Sequence, residues 1–340
     1  MPGDKPLIAV TMGDPAGIGA EVILKAFADD ALWRGASPVV YGDLARLNAV
    51  AERSAFALEL VRVESPRKVD GRYPRLEVVD FANVPRDFPF GSASVAGGRA
   101  ALDYIEAAAT AAIAGEVDAV VTAPISKAAI RAAGSPYAGH TDMLAAMTKA
   151  RRVAMALVAG PLRAIFVTAH IPLADVPRAV TRDRVLDTIE LAGEALKLLG
   201  EPGRVIAVAG LNPHAGEVGI LGGEEIDSII PAIQAAQKMS INCVGPVPAD
   251  TAFYRMSQGE FGIVVAMYHD QGHAPLKLVA FHTGVNWTVG LPIVRTSPDH
   301  GTAFDIAGKN KADCSSMAAA IHLAIDLANK RAAAKAGAGK

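Results

Sequence analysis

The chain has 340 residues, of which 51% are hydrophobic and 5% aromatic, and its formal net charge is −2. That length exceeds the roughly 250–300 residues at which a single core stops growing, so two packed lobes are expected. The near-neutral charge gives no electrostatic reason for a nucleic-acid or acidic-membrane partner, and the two cysteines, Cys243 and Cys314, are too few for a disulfide framework or a thiolate zinc site.

In chain order, LIAVTM (7–12) reads as a first strand, followed by a Gly/Pro turn and a helix from about Ala20. The N-terminus MPGDKPLIAVTMGDPAG lacks the basic start, apolar stretch and small-residue cleavage site of a secretory signal. No apolar segment approaches the roughly 20 residues that cross a bilayer. A soluble cytoplasmic protein is therefore expected. The Pro-, Arg- and Asp-rich stretch 66–89 reads as irregular surface connection, and an Ala-rich helix over 97–114 leads into the strand VDAVVTA at 117–123. Thr181 suits the N-cap of a helix running to Leu199, with Gly200 as its stop. Amphipathic helices follow at 227–238 and 313–332, and the tail AAAKAGAGK is expected to fray. The alternation of strands and helices is the pattern of parallel sheets with crossover helices. No repeat or Gly/Ser-rich linker divides the chain, so lobes built by a chain that crosses back and forth are expected.

Three times, a run of strand-forming residues ends in a histidine: RAIFVTAH at His170, RVIAVAG running into LNPHAGE at His214, and FGIVVAMYH at His269. Ligands in open α/β sheets bind beyond the carboxyl ends of the strands. Three imidazoles delivered to that edge suit one divalent metal with positions left open for substrate; the plainer alternative is three unrelated histidines capping loops. Neutral imidazole favours zinc and related transition ions, whereas magnesium favours carboxylates and water. His273 lies four residues after His269, but DQGHAP reads as a loop, which leaves His273 outside the ligand set. Asp270 and Asp250 are carboxylates suited to supporting a ligand or handling a proton, or else turn residues bonded to their own backbone.

A second group, His140 and Thr141 in GHT with Lys277, Asn286 and Arg295, offers cationic and neutral donors for a phosphate or carboxylate. Arg295 stands out because an arginine directly after a buried apolar strand rarely lacks an anion. The turn TMGDPAGIGAEV (11–22) opens a helix as an anion-binding loop would, yet fits neither G-x-G-x-x-G nor G-x-x-x-x-G-K-[ST].

The segment DHGTAFDIAGK (299–309) resembles the adenosine-binding HG-[ST]-A-x-D-I-A-G loop of the isocitrate and isopropylmalate dehydrogenases, and GDPAGIGAE is similar to their N-terminal GDGIGPE. Together with GHT, TAH, LNPHAGE, GPVPADT, MYHDQG and GLPIVRTSPDHGTA, in order over roughly 7–320, the chain resembles the 4-hydroxythreonine-4-phosphate dehydrogenase (PdxA) family. The resemblance implies two α/β/α lobes flanking a cleft, without a Rossmann fingerprint. The expected division is a cofactor-side lobe of 1–126 plus 290–340 and a metal, substrate and dimerisation lobe of 127–289.

The resemblance also implies that His170, His214 and His269 ligate one divalent ion, zinc first with cobalt or magnesium as alternatives. By the same resemblance His140, Thr141, Lys277, Asn286 and Arg295 contact substrate, largely its phosphate. A homodimer with shared active sites and a pyridoxine-biosynthetic role are further implications. The implied cofactor is NAD, held by Gly13 of the glycine turn and by His300, Gly301, Thr302, Ala303, Asp305 and Ile306. NADP users of the wider superfamily place Lys and Tyr where this chain has Asp305 and Ile306; a carboxylate there accepts from a ribose 2′-hydroxyl and repels a 2′-phosphate.

Biosynthetic members read MYHDQG-L-P-x-L-K, whereas this chain has MYHDQGHAPLK, and FHTGVNWT adds His282 and Trp287. These departures resemble the catabolic branch acting on D-threonate or D-erythronate 4-phosphate, which yields dihydroxyacetone phosphate and carbon dioxide. GHT, Asn286 and Arg295 favour a phosphorylated substrate over the cis-dihydrodiols of a further branch. The expected reaction is oxidation of a 4-phosphorylated 3-hydroxy acid with decarboxylation, Lys127 or Asp250 taking the proton. A zinc hydrolase and a non-catalytic phosphate sensor are the competing classes. The first would need a base beside metal-bound water and no dinucleotide; the second would need no metal.

Overall fold

A computed structural model describes residues 5–54 and 57–338. Their strands are β1 (Leu7–Thr11), β2 (Ser37–Gly42), β3 (Glu59–Val63), β4 (Arg75–Asp80), β5 (Ala119–Thr122), β6 (Ala154–Ala159), β7 (Leu162–Phe166), β8 (Ile206–Ala209), β9 (Cys243–Val247), β10 (Ile263–Ala266), β11 (Val285–Val289) and β12 (Val294–Pro298). The chain separates into two compact units, Met1–Ala150 with Leu291–Lys340, and Arg151–Gly290.

In the first unit the strands run β3-β4-β2-β1-β5-β12, each parallel to its neighbours. The central strands are buried along their length because crossover helices cover both faces, hence the near-continuous apolar runs AVVT and PVVY. Each such Val or Ile contributes about 1.5–3 kcal/mol by leaving water. The helix Val95–Ile113, capped by Ser94 Oγ accepting from Gly97 N–H, lies so close to the short helix Lys127–Ala132 that a Cβ on Gly98 would sit 2.2 Å from Ala129 O. That packing holds 127–150 in the first unit, where the sequence expectation put this stretch in the second.

In the second unit the order is β11-β6-β7-β10-β8-β9. The β11–β6 and β6–β7 pairs are antiparallel, and β7, β10, β8 and β9 run parallel. Thr181 caps the helix Arg182–Leu198 as expected, accepting from Arg184 N–H, and Gly200 turns the chain with φ +75°.

Three expectations need correction. The stretch 66–89 is not all irregular: LEVV inside it forms β4, which pairs with both β3 and β2 and so finds long-range partners that its flanking Pro and Arg conceal. The tail is helical, Ser315–Ala338, where fraying was expected from 332; Lys340 and its neighbour lie outside the described residues. DQGHAP lies in the helix His269–Ala280, which contains Pro275. That helix is held by tertiary packing: His273 and Leu276 are buried, and Phe166 of β7 stacks on the His273 ring at 4.7 Å. Among the described residues no helix is long and apolar enough to cross a membrane.

Candidate active site

The three strand-end histidines come off three adjacent parallel strands. His170 follows β7, His269 follows β10 and His214 follows β8, and β10 pairs directly with both of the others. The ends are laced together by side chains the sequence reading left unassigned. Thr168 Oγ1 donates to Met267 O at 2.7 Å. Gln271 accepts from Met267 N–H at 2.6 Å and donates through Nε2 to Gly210 O at 2.8 Å, which ties the His269 turn to the start of the His214 loop. The motif MYHDQG contained Gln271, but only the pairing of β8 with β10 tells what its amide spans.

The His170 and His269 rings approach to 5.6 Å between centroids. His269 also stacks face to face on His273 at 3.7 Å, an i,i+4 pair on one helix face. Asp270 Oδ1 lies 2.7 Å from His269 Nδ1, a contact that orients the ring. His214 is exposed on a loop of its own. Residues 214–218 all have positive φ, with His214 at 53° and Val218 at 58°. For L-residues such a left-handed run costs roughly 1–2 kcal/mol per non-glycine position. The buried carboxylate of Glu225, 2% exposed, stands under it. Among the described residues no three His, Cys, Asp or Glu side chains are gathered closely enough to hold an ion. Strand order thus delivers all three histidines to one edge, and the local geometry pairs two of them. Asp250 is exposed in the first turn of the helix Ala249–Ser257, at the carboxyl end of β9.

The residues expected to bind an anion fall in both units. In the first, Arg295 on β12 is 5% exposed and its guanidinium donates to Thr122 Oγ1 of β5 from Nε at 3.2 Å and Nη2 at 2.6 Å. Burial lowers its pKa to about 10, so it stays a cation at neutral pH. His140 opens the helix His140–Thr148, and its Nε2 is sealed from solvent with no hydrogen-bond partner. Desolvation, with Arg295 and Lys127 adding repulsion, pushes its pKa well below the ordinary imidazole range. His140 is thus a neutral ring facing two cations. Thr141 stands beside it, half-buried, and Lys127 is exposed at the start of its own helix, which Ser126 Oγ caps by accepting from Ala129 N–H. In the second unit Lys277 Nζ lies 5.8 Å from the Phe281 ring centre and Asn286 is half-buried on β11.

The two glycine-containing loops expected at the cofactor are packed on each other within the first unit. Ile18 N–H donates to Thr302 O at 3.1 Å, and a Cβ on Gly17 would lie 3.0 Å from the same oxygen. Gly13 takes φ +73°, a left-handed turn, where a Cβ would meet Pro124 O at 2.3 Å. His300 Nδ1 lies 3.0 Å from Gly301 O, and its Nε2 is sealed and without a partner. Gly301 and Asp305 are exposed, while Thr302, Ala303 (φ 43°) and Ile306 are half-buried. Sequence reasoning missed Arg46, 1% exposed, which donates to Pro15 O and Phe88 O at 2.7 Å each and lies 3.5 Å over the Phe90 ring. Phe90 in turn packs where a Cβ on Gly308 would be. A lone arginine in a helix carries no sequence signal for such a clamp.

A family model described as pyridoxal phosphate biosynthetic protein PdxA matches residues 34–324. The chain belongs to the PdxA family. It is 44% identical over 328 residues to the D-threonate 4-phosphate dehydrogenase of Cupriavidus necator, covering 96% of this chain and 98% of the relative. It is 45% identical over 328 residues to the 4-hydroxythreonine-4-phosphate dehydrogenase of Desulfosudis oleivorans, covering 95% and 96%. Its fold matches the crystal structure of the 4-hydroxythreonine-4-phosphate dehydrogenase of Klebsiella pneumoniae with a TM-score of 0.90 at 42% identity, over 96% of this chain and 99% of that one. The family expectation and the expected α/β fold both hold.

Proposed function

We propose that this chain is a metal- and NAD-dependent dehydrogenase that oxidises the 3-hydroxyl of a 4-phosphorylated hydroxy acid, with loss of carbon dioxide. The observation that carries the reading is the delivery of His170, His269 and His214 from adjacent strands β7, β10 and β8 to one sheet edge. The donor chemistry fits a zinc-like ion: three imidazoles, two of them already paired, with His269 oriented by Asp270. The sealed, unpartnered Nε2 of His300 and the packed loops around Gly17 and Thr302 fit a dinucleotide.

When bound, the ion would supply Lewis acidity for the substrate hydroxyl and NAD would supply the hydride acceptor. The chain supplies the rest. Arg295, aimed by Thr122, gives a fixed charge for the phosphate, and neutral His140 gives a donor that needs no added proton. Thr141 is a further donor in the first unit, and Lys277 and Asn286 are the donors the second unit offers. Lys127, whose charge acts on His140, and Asp250, in the helix that follows β9, are the two candidates for taking the hydroxyl proton. The ordering of substrate by these donors turns the reaction into an effectively unimolecular one.

The relative named D-threonate 4-phosphate dehydrogenase, together with His273 in the histidine stack, favours D-threonate or D-erythronate 4-phosphate as a second reading beside 4-hydroxythreonine 4-phosphate. Purified protein supplied with zinc, NAD and each of the three acids is expected to produce reduced nicotinamide with one of them. No signal with any would overturn the dehydrogenase reading. Asp305 predicts a preference for NAD over NADP of at least about tenfold in kcat/KM, the cost of one poorly placed like charge. Asp305→Lys is expected to narrow it, and an NADP preference in the unaltered protein would overturn the role of Asp305.

A homodimer is proposed because Leu278, Val279 and Phe281, 88%, 68% and 70% exposed, place three large apolar side chains in water at one helix end. A second copy of the chain is the occupant proposed, and sedimentation reads the assembly directly.

A further inference from the structure

Glu225 meets the loop that carries His214 on both sides of the histidine. Before it, Leu211 and Asn212 N–H donate to Glu225 Oε1 at 2.8 and 2.7 Å, and Asn212 Nδ2 donates to Oε2 at 2.9 Å. After it, a Cβ on Gly216 (φ +78°) would lie 2.6 Å from Glu225 Oε2, so the carboxylate fills the space that only glycine leaves. Between these anchors lies the left-handed run 214–218. Glu225 itself opens a single π turn, Glu225–Ile229, ahead of the regular helix Ile230–Lys238. Wide turns of this kind recur where a helix must re-aim a side chain at a functional site. A left-handed loop and a π turn converge on one buried carboxylate.

We infer that Glu225 is the positioning residue for His214: its carboxylate holds the left-handed turn that presents the imidazole at the strand edge. The inference rests on the reading of His214 as a metal ligand. A loop left free would relax toward ordinary right-handed or extended backbone, because residues 214, 215, 217 and 218 are not glycine, and the ring would swing off the edge. Buried carboxylates accepting two main-chain N–H groups and one amide also resist replacement by Gln, whose nitrogen would face the donating Nδ2 of Asn212.

The test uses the full-length protein in three forms, Glu225→Gln, Asn212→Ala and His170→Ala, with two measurements. One is amide hydrogen exchange over 211–218 in metal-free protein; the other is titration with cobalt(II), followed by its visible absorbance. Glu225→Gln is expected to speed exchange over 211–218 and to weaken cobalt binding about 10–100-fold, the usual cost of losing a group that orients a ligand. Asn212→Ala, which removes one donor and is the milder change should Glu225→Gln not fold, is expected to do both to a smaller degree. His170→Ala is expected to weaken cobalt binding and leave exchange over 211–218 unchanged. Wild-type exchange over that loop in Glu225→Gln, or cobalt binding as tight as in the unaltered protein, overturns the inference. Absence of cobalt binding in the unaltered protein overturns the metal reading instead, and the exchange measurement still decides whether Glu225 holds the loop.

Discussion

Stripping the protein with a strong chelator is expected to abolish NAD reduction, and added zinc or cobalt is expected to restore it. His269→Ala should lower kcat/KM by about 10³-fold or more, since a Lewis acid at the reacting hydroxyl contributes several kcal/mol to the barrier. His170→Ala and His214→Ala should fall in the same range, because adjacent strands bring all three to one edge. The effects should not add in a double variant, as each loss disables the same ion. His273→Phe is a contrasting case. The ring stacks on His269 and on Phe166, so a flat apolar replacement should preserve most of the packing and most of the activity. Full turnover in protein shown by elemental analysis to be metal-free would end the metal proposal. Chelator-sensitive hydrolysis with no NAD reduction would point to a hydrolase.

Arg295→Met is expected to reduce kcat/KM for the phosphorylated acid about 10²–10³-fold, the loss that follows when one partner of a buried charge contact is truncated. Most of the change should appear in KM, with inorganic phosphate losing its ability to compete. Thr122→Val should give a smaller loss, because it removes the hydroxyl that aims the guanidinium and not the charge. The pH dependence has a definite sign. Burial lowers Arg295 to about 10, so its cation persists until pH rises through that value. His140 is held neutral, its pKa well below the usual range, so it contributes no step near pH 6.5. The substrate phosphate takes up its second proton near pH 6 or so. Affinity should therefore be flat from about pH 6.5 to about 9 and fall on either side. Undiminished competition by phosphate in Arg295→Met would place the anion elsewhere.

Local readings succeeded where one element carried its own evidence. The apolar runs that became β1, β5, β8 and β10 announced themselves, as did the Thr181 cap and the turn at Gly200. They failed where a partner distant in sequence decided the outcome. LEVV became β4 because β2 and β3 flank it, and DQGHAP became helical because Phe166 and the neighbouring strand pack on it despite Pro275. Arg46 and Glu225 were invisible for the same reason: their meaning lies in carbonyls and N–H groups 31 and 42 residues away for one, and 13 and 14 residues away for the other.

Residue order alone determined that this is a parallel-rich α/β chain with histidines at three strand ends, a glycine turn without a nucleotide fingerprint, and an arginine directly after the apolar run LPIV; the structure then put that arginine inside β12 and buried it. Those features are periodicities and spacings, and they survive without any knowledge of pairing. Only the tertiary structure decided that β7, β10 and β8 are neighbours, that His140 faces Arg295 and Lys127, and that a buried glutamate underlies His214. Strand adjacency and the satisfaction of buried polar groups are set by contacts between distant segments, and no local pattern encodes them.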